Sequence, residues 1–300
     1  MRSNDKVKVI IVMGSTGSGK SKLSIELATR FNGEIINSDK IQVHRGLDII
    51  TNKVTVEECR GVPHHLLGIV DPDVDFTASD FCRHVNLAVD SITEKGKVAV
   101  IAGGSNSYLE ELVNNDSHFK KYEPLFLWVY VSMPVLEKFV SDRVDQMVQT
   151  GAVEEVREIF EPESADYTKG IRKAIGVPEF DRFFKAEMTG EADVETLDLL
   201  LKESIDQVKK NTFELACKQR EKIQALQDNS GWELNRIDAT EVFEKRGKPG
   251  WAEVWEKVVV VPSVKLVDRF LSGSVELDGE EHLPTEIPGS PLEMHVSSKI

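Results

Sequence analysis

Residues 7–13 are apolar except for Lys8, the pattern of a strand buried on both faces of a parallel sheet. A glycine-rich turn follows, after which Leu23, Leu27 and Phe31 recur at helical spacing through residues 20–31. A second short strand is predicted at 35–37, with Asp39 just past its end. Thr77 and Asp80 have the spacing of a capping box, which opens a helix running to about residue 94 with Phe81, Val85, Ala88 and Ile92 on one face. Residues 98–102, stopped by Gly103-Gly104, and residues 125–131 predict two more strands. Strands alternating with helices predict a doubly wound α/β core that binds its ligands at the carboxyl edge of the sheet.

Beyond Pro134 the pattern lengthens. Residues 135–160 and 197–226 predict long helices, with a shorter one near 172–185. The expected organisation is a core formed by residues 1–134 and 231–261, a helical subdomain at 135–230, and an acidic, Ser- and Pro-containing tail at 262–300.

Charge narrows the function classes. The 300-residue chain carries a formal charge of −14, and a protein gripping a long polynucleotide needs a positive field. A long nucleic acid is therefore not an expected partner. Cys59, Cys82 and Cys217 are scattered and odd in number, which fits a reducing compartment and no disulfide framework. No apolar run approaches the ~20 residues needed to span a bilayer, and residues 1–6 are too short and polar for a signal peptide. The expectation is a soluble intracellular protein, cytoplasmic or plastid, with no transit peptide visible, no membrane partner and a monomeric state.

The chemistry begins at Gly14-Ser-Thr-Gly-Ser-Gly-Lys20-Ser21, a full GxxxxGK[ST] match placed between a buried strand and a helix. Gly14, Gly17, Ser18 and Gly19 let backbone amides turn toward phosphate oxygens. Lys20 adds a point charge, and the Ser21 hydroxyl is a Mg²⁺ ligand of the usual kind. The fold class is thus α/β with a P-loop NTPase-like parallel sheet. An ATPase or switch protein would follow with an apolar strand ending in a Mg²⁺-binding aspartate, but residues 98–102 run into Gly-Gly-Ser instead. Asp39 lies at the carboxyl edge of the sheet, where a catalytic base, a metal ligand and a loop-capping residue are all open readings. His64 and His65 lack a carboxylate or cysteine at ligand spacing and are read as structural.

Six motifs occur in order across roughly residues 7–260. They are the loop at 14–21, Ile35–Asp39 with Gln42–Ile49, Val62–Leu66, Gly103–Tyr108, Lys173–Glu179, and Asn211-Thr212 with Ala216–Gln219. This series resembles the isopentenyltransferase family, which includes tRNA dimethylallyltransferases and the adenylate isopentenyltransferases of cytokinin synthesis. The resemblance implies that the loop holds the diphosphate of dimethylallyl diphosphate and that the acceptor is the N6 amine of adenine. It makes Asp39 the general base, Thr16 and Ser105 hydroxyls at the reacting centre, and Arg143 a diphosphate-binding cation. Thr212 and Lys218 become part of the helix closing the donor channel, and Mg²⁺ the expected cofactor.

Departures from the tRNA-modifying members concern the acceptor. Lys40 stands where they have a serine, Arg-Glu-Lys-Ile follows Gln219 instead of a Thr-Trp-Phe-Arg-like ending, and no C-terminal zinc-finger pattern is present. With the negative charge, these resemble the plant-type enzymes that prenylate free ATP or ADP. By that resemblance Lys40 lies in the segment that contacts the acceptor nucleotide, and a free nucleotide needs cations for its outer phosphates, for which Lys169 and Lys222 are the candidates. ATP, ADP or AMP is the expected acceptor; tRNA modification and a small-molecule kinase are the alternatives.

Overall fold

The computed structural model describes residues 6–163 and 166–273. At its centre is a six-stranded parallel sheet in the order β3-β2-β4-β1-β5-β6. The strands are β1 Val7–Gly14, β2 Gly33–Asn37, β3 His64–His65, β4 Val98–Gly103, β5 Tyr122–Tyr130 and β6 Leu234–Asp238. The helices are α1 Lys20–Arg30, α2 Val56–Cys59, α3 Ala78–Glu94, α4 Asn106–Glu110, α5 Met133–Gln149, α6 Ala152–Glu158, α7 Asp181–Thr189, α8 Val194–Ser230, α9 Thr240–Glu244, α10 Trp251–Trp255 and α11 Val261–Ser272.

The apolar run of β1 explains why the sheet is covered twice. Val9, Ile11 and Met13 join Phe81, Val85 and Val89 of α3 in one core. Ile10 and Val12 join Leu23 and Leu27 of α1, together with Trp255, Val259 and Val267, in the core on the other face. Each side chain fully buried in this way stabilises the fold by about 1.5–3 kcal/mol. From β1 the chain crosses to β2 on one side, then returns through β4 to β5 on the other. The crevice beyond the carboxyl ends of β1 and β4 is therefore the topological switch point, where doubly wound sheets bind ligands.

A third core gathers Val144 and Met147 of α5, Phe183 and Phe184 of α7, and Leu200 and Val208 of α8, with Leu47 and Ile50 from the segment after β2. Helix α8 connects all three: Val208 lies in this core, Ala216 in the α1-side core, and Ile223 and Leu226 in the α3-side core. At 37 residues it is about 55 Å long, enough to cross the whole carboxyl edge of the sheet.

Several elements differ from the sequence expectation. The helix expected at 135–160 is broken at Gly151, whose φ of 102° is left-handed backbone that ends one helix and starts the next. The helix expected near 172–185 is two short 3₁₀ turns, Gly170–Lys173 and Pro178–Phe180, before α7. Left-handed Gly176 and Pro178 interrupt it. Residues 262–272, expected in the tail, are helical. Pro262 sits in the first turn of α11, which runs on directly from a π-helical turn at Glu256–Val260, and Ser263 and Val267 are fully buried. Residues 274–300 of that expected tail lie outside the described residues.

Candidate active site

The loop after β1 wraps the N-terminus of α1. Lys20 Nζ donates to the Ser15 carbonyl at 2.8 Å, and Ser15 Oγ donates to the Ala216 carbonyl of α8 at 2.8 Å. A Cβ on Gly17 would lie 2.8 Å from Val140 Cγ1, so α5 fits against the loop only because this position is glycine. From α5, Arg143 Nη2 donates to Thr16 Oγ1 at 3.0 Å. Arg143 is only 8% exposed, and its buried Nε has no hydrogen-bond partner among the described residues. A buried cationic donor without a partner is costly unless an anion completes it.

The opposite wall is the end of β2. Asp39 Oδ1 accepts from the Ile41 amide at 2.9 Å and the Gln42 amide at 3.2 Å, so both of these turn hydrogen bonds use one oxygen and leave Oδ2 for other partners. The turn is bound to the β4–α4 junction: the Ser105 amide donates to the Ser38 carbonyl, and Ser105 Oγ accepts from the Lys40 amide at 2.9 Å. A Cβ on Gly103 would meet the Ser38 carbonyl oxygen at 2.1 Å, so the glycine lets the two strand ends approach.

Two adjoining cavities of about 430 and 440 Å³ meet here. Thr16, Asp39, Gly104, Arg143 and Gln219 line both. The loop-side cavity adds Gly17, Gly19, Lys20, Ser21 and Lys22. The helical-side cavity adds Lys40, Ser105, Lys173, Thr212, Lys218 and Lys222. Withdrawal from water pushes Lys20 down to about 8; the Asp39 carboxylate opposes that shift and Arg143 reinforces it. Burial, with help from Arg246, likewise lowers Arg143 to about 10. Lys22 stands 3.9 Å from the Trp251 ring centre and 4.7 Å from that of Trp255, and burial lowers it to about 8.

Most of the residues singled out in the sequence converge here, with some redistribution. Thr212 and Lys218, assigned to the donor diphosphate, line the helical-side cavity; Thr212 Oγ1 donates to the Val208 carbonyl one turn earlier. Thr16 Oγ1 faces Arg143, and Ser105 acts on the backbone next to Asp39. Gly14 and Ser18 are buried within the loop and line neither cavity, and Lys169 lies away from the site altogether. This lysine lines neither cavity, is largely exposed and pairs with Asp166 at 3.5 Å, because left-handed Gly170 turns the chain so that Ile171 enters the third core. Lys173, four residues on, lines the cavity and is held by Asp75 at 2.7 Å. Its place in the Lys173–Glu179 motif was the available signal. Lys22 and Gln219 were also passed over, although each adjoins a selected residue. His64 and His65 are structural, meeting the Val62 carbonyl and the Glu34 carboxylate. No group of three metal-ligating side chains occurs among the described residues.

A glycine-rich loop with cations at a strand end, beside two cavities that share Asp39 in their walls, defines a P-loop-like fold with its cleft at the carboxyl edge of the sheet. Comparison with known proteins narrows the class. The family model described as IPP transferase matches residues 42–121 and 113–224. Adenylate isopentenyltransferase 3, chloroplastic, of Arabidopsis thaliana is 54% identical over 269 residues, 89% of this chain and 80% of that protein. Adenylate isopentenyltransferase of Humulus lupulus is 42% identical over 294 residues, 87% of this chain and 89% of that protein. Among solved structures, a eukaryotic dimethylallyltransferase acting on tRNA superposes with a TM-score of 0.73 at 24% identity, covering 91% of this chain and 81% of that one. The tRNA isopentenylpyrophosphate transferase of Bacillus halodurans gives 0.68 at 23%, covering 89% and 99%. The chain belongs to the IPP transferase family of prenyltransferases. The two solved structures share its fold.

Proposed function

We propose that the protein transfers a dimethylallyl group from dimethylallyl diphosphate to the N6 amine of adenine in free ATP, ADP or AMP, the entry step of cytokinin synthesis. The observation that carries this is the shared boundary of the two cavities, which puts Asp39 between the loop and the helical-side lysines. In the transfer, the donor C1–O bond breaks with its electron pair going to diphosphate. The N6–C1 bond forms, and the N6 proton passes to Asp39. An aromatic amine is a weak nucleophile, so a base that takes its proton during attack lowers the barrier. Lys20, Arg143 and the loop amides face the charge that develops on the leaving diphosphate.

The loop fits Mg²⁺ through its serine, since the Ser/Thr hydroxyl of a P-loop holds the ion beside substrate phosphates. Ser21 on the cavity wall would hold it, and the ion would neutralise charge on the diphosphate. A free nucleotide is favoured over tRNA by the close relatives' names, by Lys40, Lys173, Lys218 and Lys222 beside one cavity, and by the net charge of −14. A monomer in the plastid or cytoplasm completes the proposal; chloroplastic in the names of several relatives supports the plastid. No described helix is long and apolar enough to cross a membrane. Incubation with dimethylallyl diphosphate, Mg²⁺ and separate AMP, ADP, ATP and tRNA tests the proposal. Prenylated free nucleotide is expected, and prenylated tRNA alone or phosphate transfer from ATP would overturn it.

Acceptor choice gives a sharper test. Lys222 lines the helical-side cavity and pairs with Glu110 at 2.6 Å, which puts an ammonium beside the proposed acceptor site. Hydrogen bonds to charged groups contribute about 1.5–3 kcal/mol, roughly tenfold or more in affinity. Lys222→Glu is expected to shift kcat/KM from ATP and ADP toward AMP by about that factor, whereas Lys169→Glu should leave the ranking unchanged. Equal losses on all three nucleotides in Lys222→Glu would place phosphate discrimination elsewhere.

A further inference from the structure

Gln219 occupies an unusual position on α8. Its Oε1 accepts from the Thr16 amide of the loop at 2.7 Å, while its Nε2 donates to the Gly104 carbonyl beyond β4 at 3.0 Å. Its own carbonyl accepts from Asn106 Nδ2 at 3.1 Å, and one turn earlier Ser15 Oγ donates to the Ala216 carbonyl. The fit is close: a Cβ on Gly104 would lie 2.4 Å from Gln219 Nε2. One end of this bridge needs an acceptor and the other a donor. A primary amide supplies both at this length; a carboxylate cannot donate, and an ammonium cannot accept. Gln219 also lines both cavities, so its carboxamide lies in the wall where they meet.

Resting on the proposed transfer reaction, we infer that Gln219 is a positioning residue that seals the seam between α8 and the loop and keeps water from the allylic carbon. As the donor C1–O bond breaks, C1 becomes electron-poor and reacts with whichever nucleophile is placed against it. If water attacks, its oxygen bonds to C1, its proton passes to Asp39 or solvent, and the products are dimethylallyl alcohol and diphosphate. Excluding water is what directs the cleavage to N6. Without the carboxamide, the Thr16 amide and Gly104 carbonyl would recruit water in its place, next to the reacting carbon.

The test measures both fates of the donor in one reaction. Full-length wild type and the Gln219→Ala, Gln219→Glu and Gln219→Met variants are given radiolabelled dimethylallyl diphosphate, Mg²⁺ and ATP, and prenylated nucleotide and dimethylallyl alcohol are both quantified. Gln219→Ala should raise the alcohol-to-nucleotide ratio about tenfold or more, equivalent to about 1.4 kcal/mol between the two barriers. Gln219→Glu should raise it as well, since its second oxygen faces the Gly104 carbonyl. Gln219→Met fills the seam without the hydrogen bonds and should fall between wild type and alanine. A purely structural role would lower both products together, so an unchanged ratio in the folded variants overturns the inference. If the alanine variant does not fold, the near-isosteric Glu and Met variants decide the result. Wild type that forms no prenylated nucleotide sinks the transfer reaction itself; wild type that transfers, with variants that never leak, sinks only the role of Gln219.

Discussion

Asp39→Asn is expected to lower kcat for prenyl transfer by about 10²–10⁴, the usual contribution of a general base, while nucleotide affinity changes only a few-fold. The local geometry separates these effects. Both turn hydrogen bonds, from the Ile41 and Gln42 amides, go to Oδ1, and the asparagine carbonyl can accept them unchanged. The contacts that set the strand end in place, between the Ser105 amide and the Ser38 carbonyl and between the Lys40 amide and Ser105 Oγ, do not involve the carboxylate at all. The substitution therefore keeps the turn, replaces Oδ2 with an NH₂ group and removes the proton acceptor. Rapid-quench turnover and equilibrium binding of ATP, measured on the same preparation, check the two halves. Turnover near the wild-type rate would remove Asp39 from proton transfer, and lost ATP binding would make its role structural.

The parts of this site readable in the sequence are those encoded within a few residues. The loop is readable because the glycine and lysine spacing, the preceding apolar run and the following helix are contiguous. The α3 start is readable because Thr77 and Asp80 satisfy each other's amides three residues apart. The edges of the sheet were less readable. In β6 only Ile237 is buried, and β3 is two half-buried histidines, so neither shows the apolar run of a central strand.

Lysine roles were hardest to read, because reaching a cavity depends on contacts far apart in the chain. Lys169 and Lys173 lie in one segment, yet the turn at Gly170 leaves one exposed and turns the other to the cavity, where Asp75 holds it. Lys22 follows the loop serine directly, but its environment is set by Trp251 and Trp255, more than two hundred residues away. Gln219 was part of a motif, but its function as a bridge is visible only once Thr16 and Gly104 are brought to either end of its amide.

Lys20→Ala is expected to weaken the prenyl donor while making the protein by itself more stable at neutral pH. Withdrawal from water holds Lys20 at about 8, against an ordinary lysine value of 10.5. Between those values the unfolded chain binds more protons than the folded one, so stability rises with pH across that window. Below about 8 the folded protein bears the full cost of an ammonium poorly supplied with anions. Alanine removes that cost, so the variant should melt above wild type at pH 7, and the difference should shrink toward pH 10. Donor binding runs the other way. The charge that costs stability is the one that meets the diphosphate, and loss of a charge-stabilising donor typically costs about 10²–10³ in rate. For wild type, kcat/KM for dimethylallyl diphosphate should fall as pH rises through about 8, since this ratio reports titration of the free enzyme. Lys22 also titrates near 8, so the comparison that isolates Lys20 is the part of this fall that the alanine variant loses. Differential scanning calorimetry and donor kinetics at pH 7, 8.5 and 10 supply the measurements. A variant that melts lower at pH 7 and retains its donor kcat/KM would show that Lys20 supports the fold and that the diphosphate is held elsewhere. Collapse of ATP binding with donor binding intact would make the loop an ATP site.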